Sequence, residues 1–315
     1  VNFNTDKRFI HFVKHRKKFF MLSLVMTLVG VILLSTLGLN LGIDFESGSR
    51  VDILADDTLT EEEVYEQFAE AGGYEPDDVT LAGDNNNMAS ATFIGTLSRE
   101  EIAEVQTHFD ELYGQEPSVS TVSPQVGQEL AKNAFISVLI ASLGIIIYVS
   151  IRFQFWYGLA AIVSLAHDAF FILVVFSILQ FEVNIPFIAA VLTIVGYSIN
   201  DTIVTFDRIR ENIKYTDRLK TFDDLSYVVD LSLNQTLTRS INTVLTVVFA
   251  AAALFILGGE AIRSFSLALL IGLIAGTYSS LFLAAQLWVV WKWKQMERDR
   301  KKPKKEEPDE LEPEV

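Results

Sequence analysis

The chain has 315 residues, half of them apolar, a formal net charge of −15 and no cysteine. Its mean hydropathy is positive, which takes it out of the ordinary soluble class, and the missing cysteines exclude disulfides and thiolate metal sites. High charge and high apolarity fit in one chain only if the two are kept apart in sequence, and they are.

In chain order, residues 1–18 form a basic segment with Lys7, Arg8, Lys14, Arg16, Lys17 and Lys18. Residues 19–43 contain no Asp, Glu, Lys or Arg, a run long enough to cross the ~30 Å hydrocarbon core of a bilayer. It is too long for the core of a cleavable signal peptide, and "NLGIDFESG" follows it in place of a small-residue cleavage site. Residues 44–128 then read as one small domain. "SRVDILA" alternates as a strand. "TLTEEEVYEQFAEAG" is a helix, with Thr60 and Glu63 as a capping box and Val64, Phe68 and Ala71 on one face. "DDVTLAGD" and "MASATFIG" are strands around a "DNNN" turn. "LSREEIAEVQTHFDELYG" is a second helix, capped by Ser98 and Glu101, with Ile102, Val105, Phe109 and Leu112 inward, and "PSVSTVS" is the last strand. The order β-α-β-β-α-β is the ferredoxin-like split βαβ motif, which decides no function by itself. No His cluster, Gly-rich phosphate loop or nucleophile–base pair stands out in it. The domain reads as a binding module, and the chain as a non-enzyme without cofactor, metal or nucleic-acid partner.

Residues 129–291 carry five more apolar runs. Residues 133–151, 240–259 and 264–291 are uncharged, and 153–181 and 183–206 are broken only by Asp168 and Asp201. A loop at about 208–236 holds Arg208, Arg210, Lys214, Arg218 and Lys220. Residues 292–315 are rich in Lys, Glu and Pro and read as a disordered tail, basic near the membrane where anionic lipid lies. The expected fold is therefore an α-helical membrane protein of six spanning helices with a small α+β ferredoxin-like domain. An even number of helices puts the basic N-terminus, loop and tail on one side, which the positive-inside rule makes cytoplasmic, with the domain outside. Trp156, Trp288, Trp291 and Trp293 suit interfacial belts, and Gly272, Gly276 and Ser280 suit close packing of the sixth helix.

The interruptions carry the chemistry. Thr193, Tyr197, Asp201, Thr205 and Arg208 share one face of the fourth helix, whose first turn holds Pro186. A carboxylate at depth costs about 2.5–3.5 kcal/mol on insertion scales, so Asp201 and Asp168 are expected to face the bundle interior. Two readings stand for each. Asp201 is a proton-exchanging group or a buried hydrogen-bonding group. Asp168, beside His167 and one turn from Ser164, is a second such group or an interhelical tie. Arg239 shares a face of the fifth helix with Asn242, Thr243 and Thr246, and either pairs with Asp201 or snorkels to the membrane edge. Asp201 with Ser198, Asn200 and Thr202 also offers oxygen atoms to a sodium ion, so the spacing leaves the coupling ion open.

Three stretches resemble the SecF-type subunits of bacterial protein export, in the resistance–nodulation–division superfamily. "GIDFESG", with Gly42, Asp44, Phe45 and Gly48, is similar to the family's G-I-D-F-x-G-G, with Ser47 in place of the first glycine of the pair. "AHD" at residues 166–168 matches, and so does "VGYSINDTIVTFDRIREN" followed by "LNQTLTRSINT". The resemblance implies a SecD-type partner, separate or fused, association with the SecYEG channel, and use of the proton motive force to help draw unfolded polypeptide across the cytoplasmic membrane. It places proton coupling on Asp201 and Arg239. The rival readings are a proton-coupled exporter of small molecules or lipids, which would need a second six-helix half, and a scaffold without coupling.

Overall fold

A computed structural model describes residues 9–83, 85–216, 219–259 and 262–301, and of residue 150 the backbone only. Among the described residues six helices are long and apolar enough to cross a membrane. The first, α1 (Arg16–Leu37), ends at Gly38 with φ +71°. The apolar run goes on to Ile43, but the helix does not. Residues beyond Gly38 run extended along the segment that follows residue 179. There Val183 N–H donates to Asn40 O at 2.8 Å and Gly42 N–H to Val183 O at 2.9 Å, so backbone groups leaving the helix find partners at once.

After the short α2 (Ile43–Glu46) comes the sheet domain: β1 (Gly48–Leu54), α3 (Glu61–Gly72), β2 (Asp78–Ala82), β3 (Met88–Ile94), α4 (Arg99–Tyr113) and β4 (Ser118–Val122). The sheet order is β2-β3-β1-β4 with every pair antiparallel, and Val51 stands opposite Ala91 and Val119. This is the expected split βαβ arrangement. Both capping boxes form, Thr60 with Glu63 and Ser98 with Glu101. The bond from Ser98 N–H holds the Glu101 carboxyl below its usual range. Val51, Ile53, Ala89, Ala91 and Phe93 meet Val64, Phe68, Val105 and Phe109 in one core. Leu112 does not join them and is 47 % exposed. Tyr113 takes its place, its ring 6.0 Å from that of Phe109.

The remaining helices are α5 (Pro124–Arg152), α6 (Phe155–Leu179), α7 (Ile185–Lys214), α8 (Phe222–Leu257) and α9 (Arg263–Tyr278), the last continuing through a π-helical turn at Ser279–Ala284 into α10 (Ala285–Lys301). α7 and α9 are the packed centre. Gly276 brings α9 so close that a Cβ there would lie 3.1 Å from Ser198 Cβ, and one at Gly272 would overlap Ile194. The small-residue series thus closes a seam within this chain. The loop expected at about 208–236 is shorter: α7 runs to Lys214, and a further capping box, Thr221 with Asp224, starts α8. Arg208, Arg210 and Lys214 lie on the last turns of α7, beyond its apolar stretch. The helix expected to stop near residue 291 continues to Lys301; residues 302–315 of the tail, Lys7, Arg8 and Arg218 lie outside the described residues. Residues 9–13 dock on α8, where Asn234 Oδ1 accepts from Ile10 N–H at 3.0 Å and Asp230 Oδ1 from Val13 N–H at 2.9 Å. Trp288, expected at an interfacial belt, is buried and stacks on Tyr157 with centroids 4.5 Å apart.

Candidate functional site

Asp168 lies near the middle of α6 and is 0 % exposed. Its Oδ2 accepts from Ser198 Oγ of α7 at 2.6 Å and from Ser279 Oγ of the π-helical turn at 2.7 Å. Three spanning segments therefore meet on one carboxylate. Its Oδ1 lies 3.5 Å from His167 Nδ1 and accepts no hydrogen bond among the described residues. One turn along α7, Thr202 Oγ1 donates to Ser198 O at 3.0 Å and lies 2.8 Å from Ser280 Oγ. π-helical turns within α-helices occur frequently at functional sites.

Asp201 faces another neighbour. Ser240 Oγ of α8 donates to its Oδ1 at 2.6 Å, and its Oδ2 is buried with no partner among the described residues. The residue is only partly buried. The expected ion pair with Arg239 is not formed: no Arg239–Asp201 contact lies within 4.0 Å among the described residues. Successive residues on a helix point about 100° apart, so the rotation that aims Ser240 at Asp201 turns Arg239 to the exposed surface. The Arg239 carbonyl accepts from Thr243 Oγ1 at 2.8 Å.

The polar face of α7 thus divides. Ser198 and Thr202 belong to the Asp168 cluster. Tyr197, with a buried and unpartnered hydroxyl among the described residues, is partly buried like Asp201. Thr193 and Asn200 are exposed, and Asn242 of α8 is partly buried. Ser240 and Ser279 were not singled out in the sequence. Ser240 adjoins Arg239 in "LTRSINT", but nothing in the spacing says which of the two turns inward.

The motif after α1 sits at the other end of α7. Asp44 Oδ2 accepts from Ile185 N–H at 2.9 Å, and Asn184 Oδ1 from Phe187 N–H at 3.1 Å. Pro186 has no N–H to satisfy. Gly42 lies under the Glu182 side chain, where a Cβ would overlap the carboxylate, and Gly48 lies equally close to Phe93 O. Phe45 packs against the bundle core. Ser47 holds φ +62°, a left-handed conformation that glycine adopts without the strain a side chain brings.

Residues 101–294 match the family of protein export membrane proteins SecD/SecF, C-terminal region, and residues 32–58 the SecD/SecF GG motif. The chain is 42 % identical to protein translocase subunit SecF of Alicyclobacillus acidocaldarius, over 91 % of this chain and 94 % of that protein. It belongs to the SecD/SecF family. The protein translocase subunit SecDF of Bacillus subtilis (strain 168) is 54 % identical over 91 % of this chain. The crystal structure of SecDF, a translocon-associated membrane protein from Thermus thermophilus, superposes with a TM-score of 0.80 at 34 % identity, over 90 % of this chain. The chain spans 39 % of the first SecDF and 38 % of the second. Its GG-motif match includes Asp44, which meets the head of α7, and its six apolar helices make it a multi-pass membrane protein.

Proposed function

We propose that this chain is the SecF-type component of the Sec protein translocase. With a SecD-type half, separate or fused, it uses the proton motive force to promote movement of unfolded polypeptide through a SecYEG-type channel. In this reading the membrane is the bacterial cytoplasmic membrane. Both chain ends and the α7–α8 loop are cytoplasmic, as the Lys and Arg distribution favours, and the sheet domain lies outside.

The observation that carries the coupling reading is Asp201. It is an intramembrane carboxylate with one hydroxyl on Oδ1 and nothing on Oδ2 among the described residues. Such a group takes and releases a proton without breaking a three-helix contact. One elementary charge moved across 100 mV is worth about 2.3 kcal/mol, enough to bias two arrangements of a bundle if protonation favours one of them. Arg239 acts on this reading from the exposed face, where a rotation of α8 or a neighbouring half brings opposite charge to Asp201. Asp168 serves as the fixed partner that keeps α6, α7 and the π-helical turn in register.

The test is Asp201→Asn, which keeps size and hydrogen bonding but cannot release a proton. Inserted at wild-type abundance and still bound to its partner, the variant is expected to lose the gradient-stimulated component of export of a secreted reporter. Retained stimulation would make Asp201 a structural hydrogen-bonding group.

A further inference from the structure

We infer that Asp44 and the Arg50–Glu182 ion pair form a two-point clamp through which the sheet domain and α7 move as one body. This rests on the coupling reading above and gives the GG-motif segment its part in it: Asp44 is a positioning residue for the helix that carries Asp201.

The first point of the clamp is at the head of α7. A helix leaves its first N–H groups without intrahelical partners, and here they are accounted for one by one. Ile185 N–H goes to the Asp44 carboxylate, Pro186 has none, Phe187 N–H goes to the Asn184 side chain and Ile188 N–H to Asn184 O. Only the Asp44 bond comes from a distant part of the chain. A carboxylate at this position also meets the positive end of the helix dipole.

The second point is on the sheet. Arg50 lies on β1, which is paired on both sides, by β3 and by β4. Its guanidinium donates to Glu182, two residues before the cap of α7. Glu182 reaches it by passing over Gly42. Between the two points, α2 is a single helical turn closed by Ser47 N–H to Ile43 O at 3.0 Å, and it leads directly into β1. The bonds of Gly42 and Val183 staple the same segments along their backbones. From Ile185 to Asp201 an α-helix spans about 24 Å, so a shift of the carboxylate along α7 reaches the domain without crossing a flexible joint. The return connection differs. Ser123 places no side-chain bond on the start of α5.

The chain has no cysteine, so spin labels can be placed at single introduced cysteines in the full chain with its partner. One label replaces Glu100 on α4, the other Tyr215 at the far end of α7, both exposed. Pulsed-dipolar distances read without a gradient should be narrow in the parent. They should broaden in Asp44→Ala and in Arg50→Glu. Asp44→Asn, whose amide oxygen still accepts from Ile185 N–H, should stay narrow. Arg50→Glu combined with Glu182→Arg should narrow again. Gradient-stimulated export should fall about fivefold or more in the two broadened variants, in the range of ordinary coupling energies, and recover in the exchange. Unbroadened distances in both variants would overturn the clamp. So would broadened distances with undiminished stimulation, because the link would then transmit nothing. Failure of the coupling reading appears elsewhere, as an Asp201→Asn variant that still responds to the gradient, and the distances do not depend on it.

Discussion

Asp168 and Asp201 touch α7 within one helical turn of each other, through Ser198 and directly, yet they occupy opposite situations. Asp168 is sealed inside the chain by two hydroxyls from two other segments. Asp201 is partly exposed and takes one hydroxyl. In the sheet domain the same chemistry recurs at the surface, where Tyr74 Oη donates to Glu104 Oε2 at 2.6 Å. One bond type at three depths shows that burial and the number of segments joined, more than the bond itself, set what a carboxylate does. The sealed one joins three segments, and the half-open one is the group that exchanges a proton in the proposed reading.

The largest effect that sharpens this contrast is expected at Asp168→Ala. It removes two interhelical bonds, each worth up to about 1.7 kcal/mol, and leaves two serines facing a gap, so a loss of roughly 2–3 kcal/mol should appear as earlier unfolding in mixed SDS micelles. Asp168→Asn, whose carbonyl oxygen can still accept from both serines, should lose much less. If Asp168→Asn unfolds normally but abolishes gradient-stimulated export, the contrast breaks and the proton role moves to Asp168.

A smaller effect is expected at Ser240→Ala. Only one bond to Asp201 is lost, at about 1 kcal/mol or less, so export should remain gradient-dependent while its stimulated rate falls by no more than about fivefold. Complete loss of stimulation would mean that the hydroxyl is part of the exchange path itself.

The smallest effect is at the surface. The bond to Glu104 pushes the Tyr74 phenol up to about 12 from 10.0. Because the folded state holds this proton more tightly, its contribution is present below pH 10 and is lost as pH rises towards 12. Ultraviolet titration should show a phenol titrating near 12 that disappears in Tyr74→Phe and moves down in Glu104→Gln, with little change in unfolding at neutral pH. A large destabilisation at neutral pH would contradict the ranking by burial.

Local features were legible in the sequence because their causes are local. Six charge-poor runs, alternating strands, two capping boxes and Pro186 in the first turn of α7 need only neighbouring residues. So do the positions of both carboxylates, since an acid in an apolar run is visible whatever surrounds it. Helix rotation and choice of neighbour were not legible. Periodicity says that Ser198, Asp201 and Thr202 lie close together on α7, but not that their bonds split them between α6, α8 and the π-helical turn. It placed Arg239 on a polar face without saying that Ser240 would take the inward direction. It read Trp288 as interfacial and Leu112 as core, and packing reversed both. The clamp on α7 joins residues 44 and 185, and 50 and 182. Such pairs exist only once the sheet is seated on the helix ends, because a residue's partners across the chain are set by how whole elements fill space together.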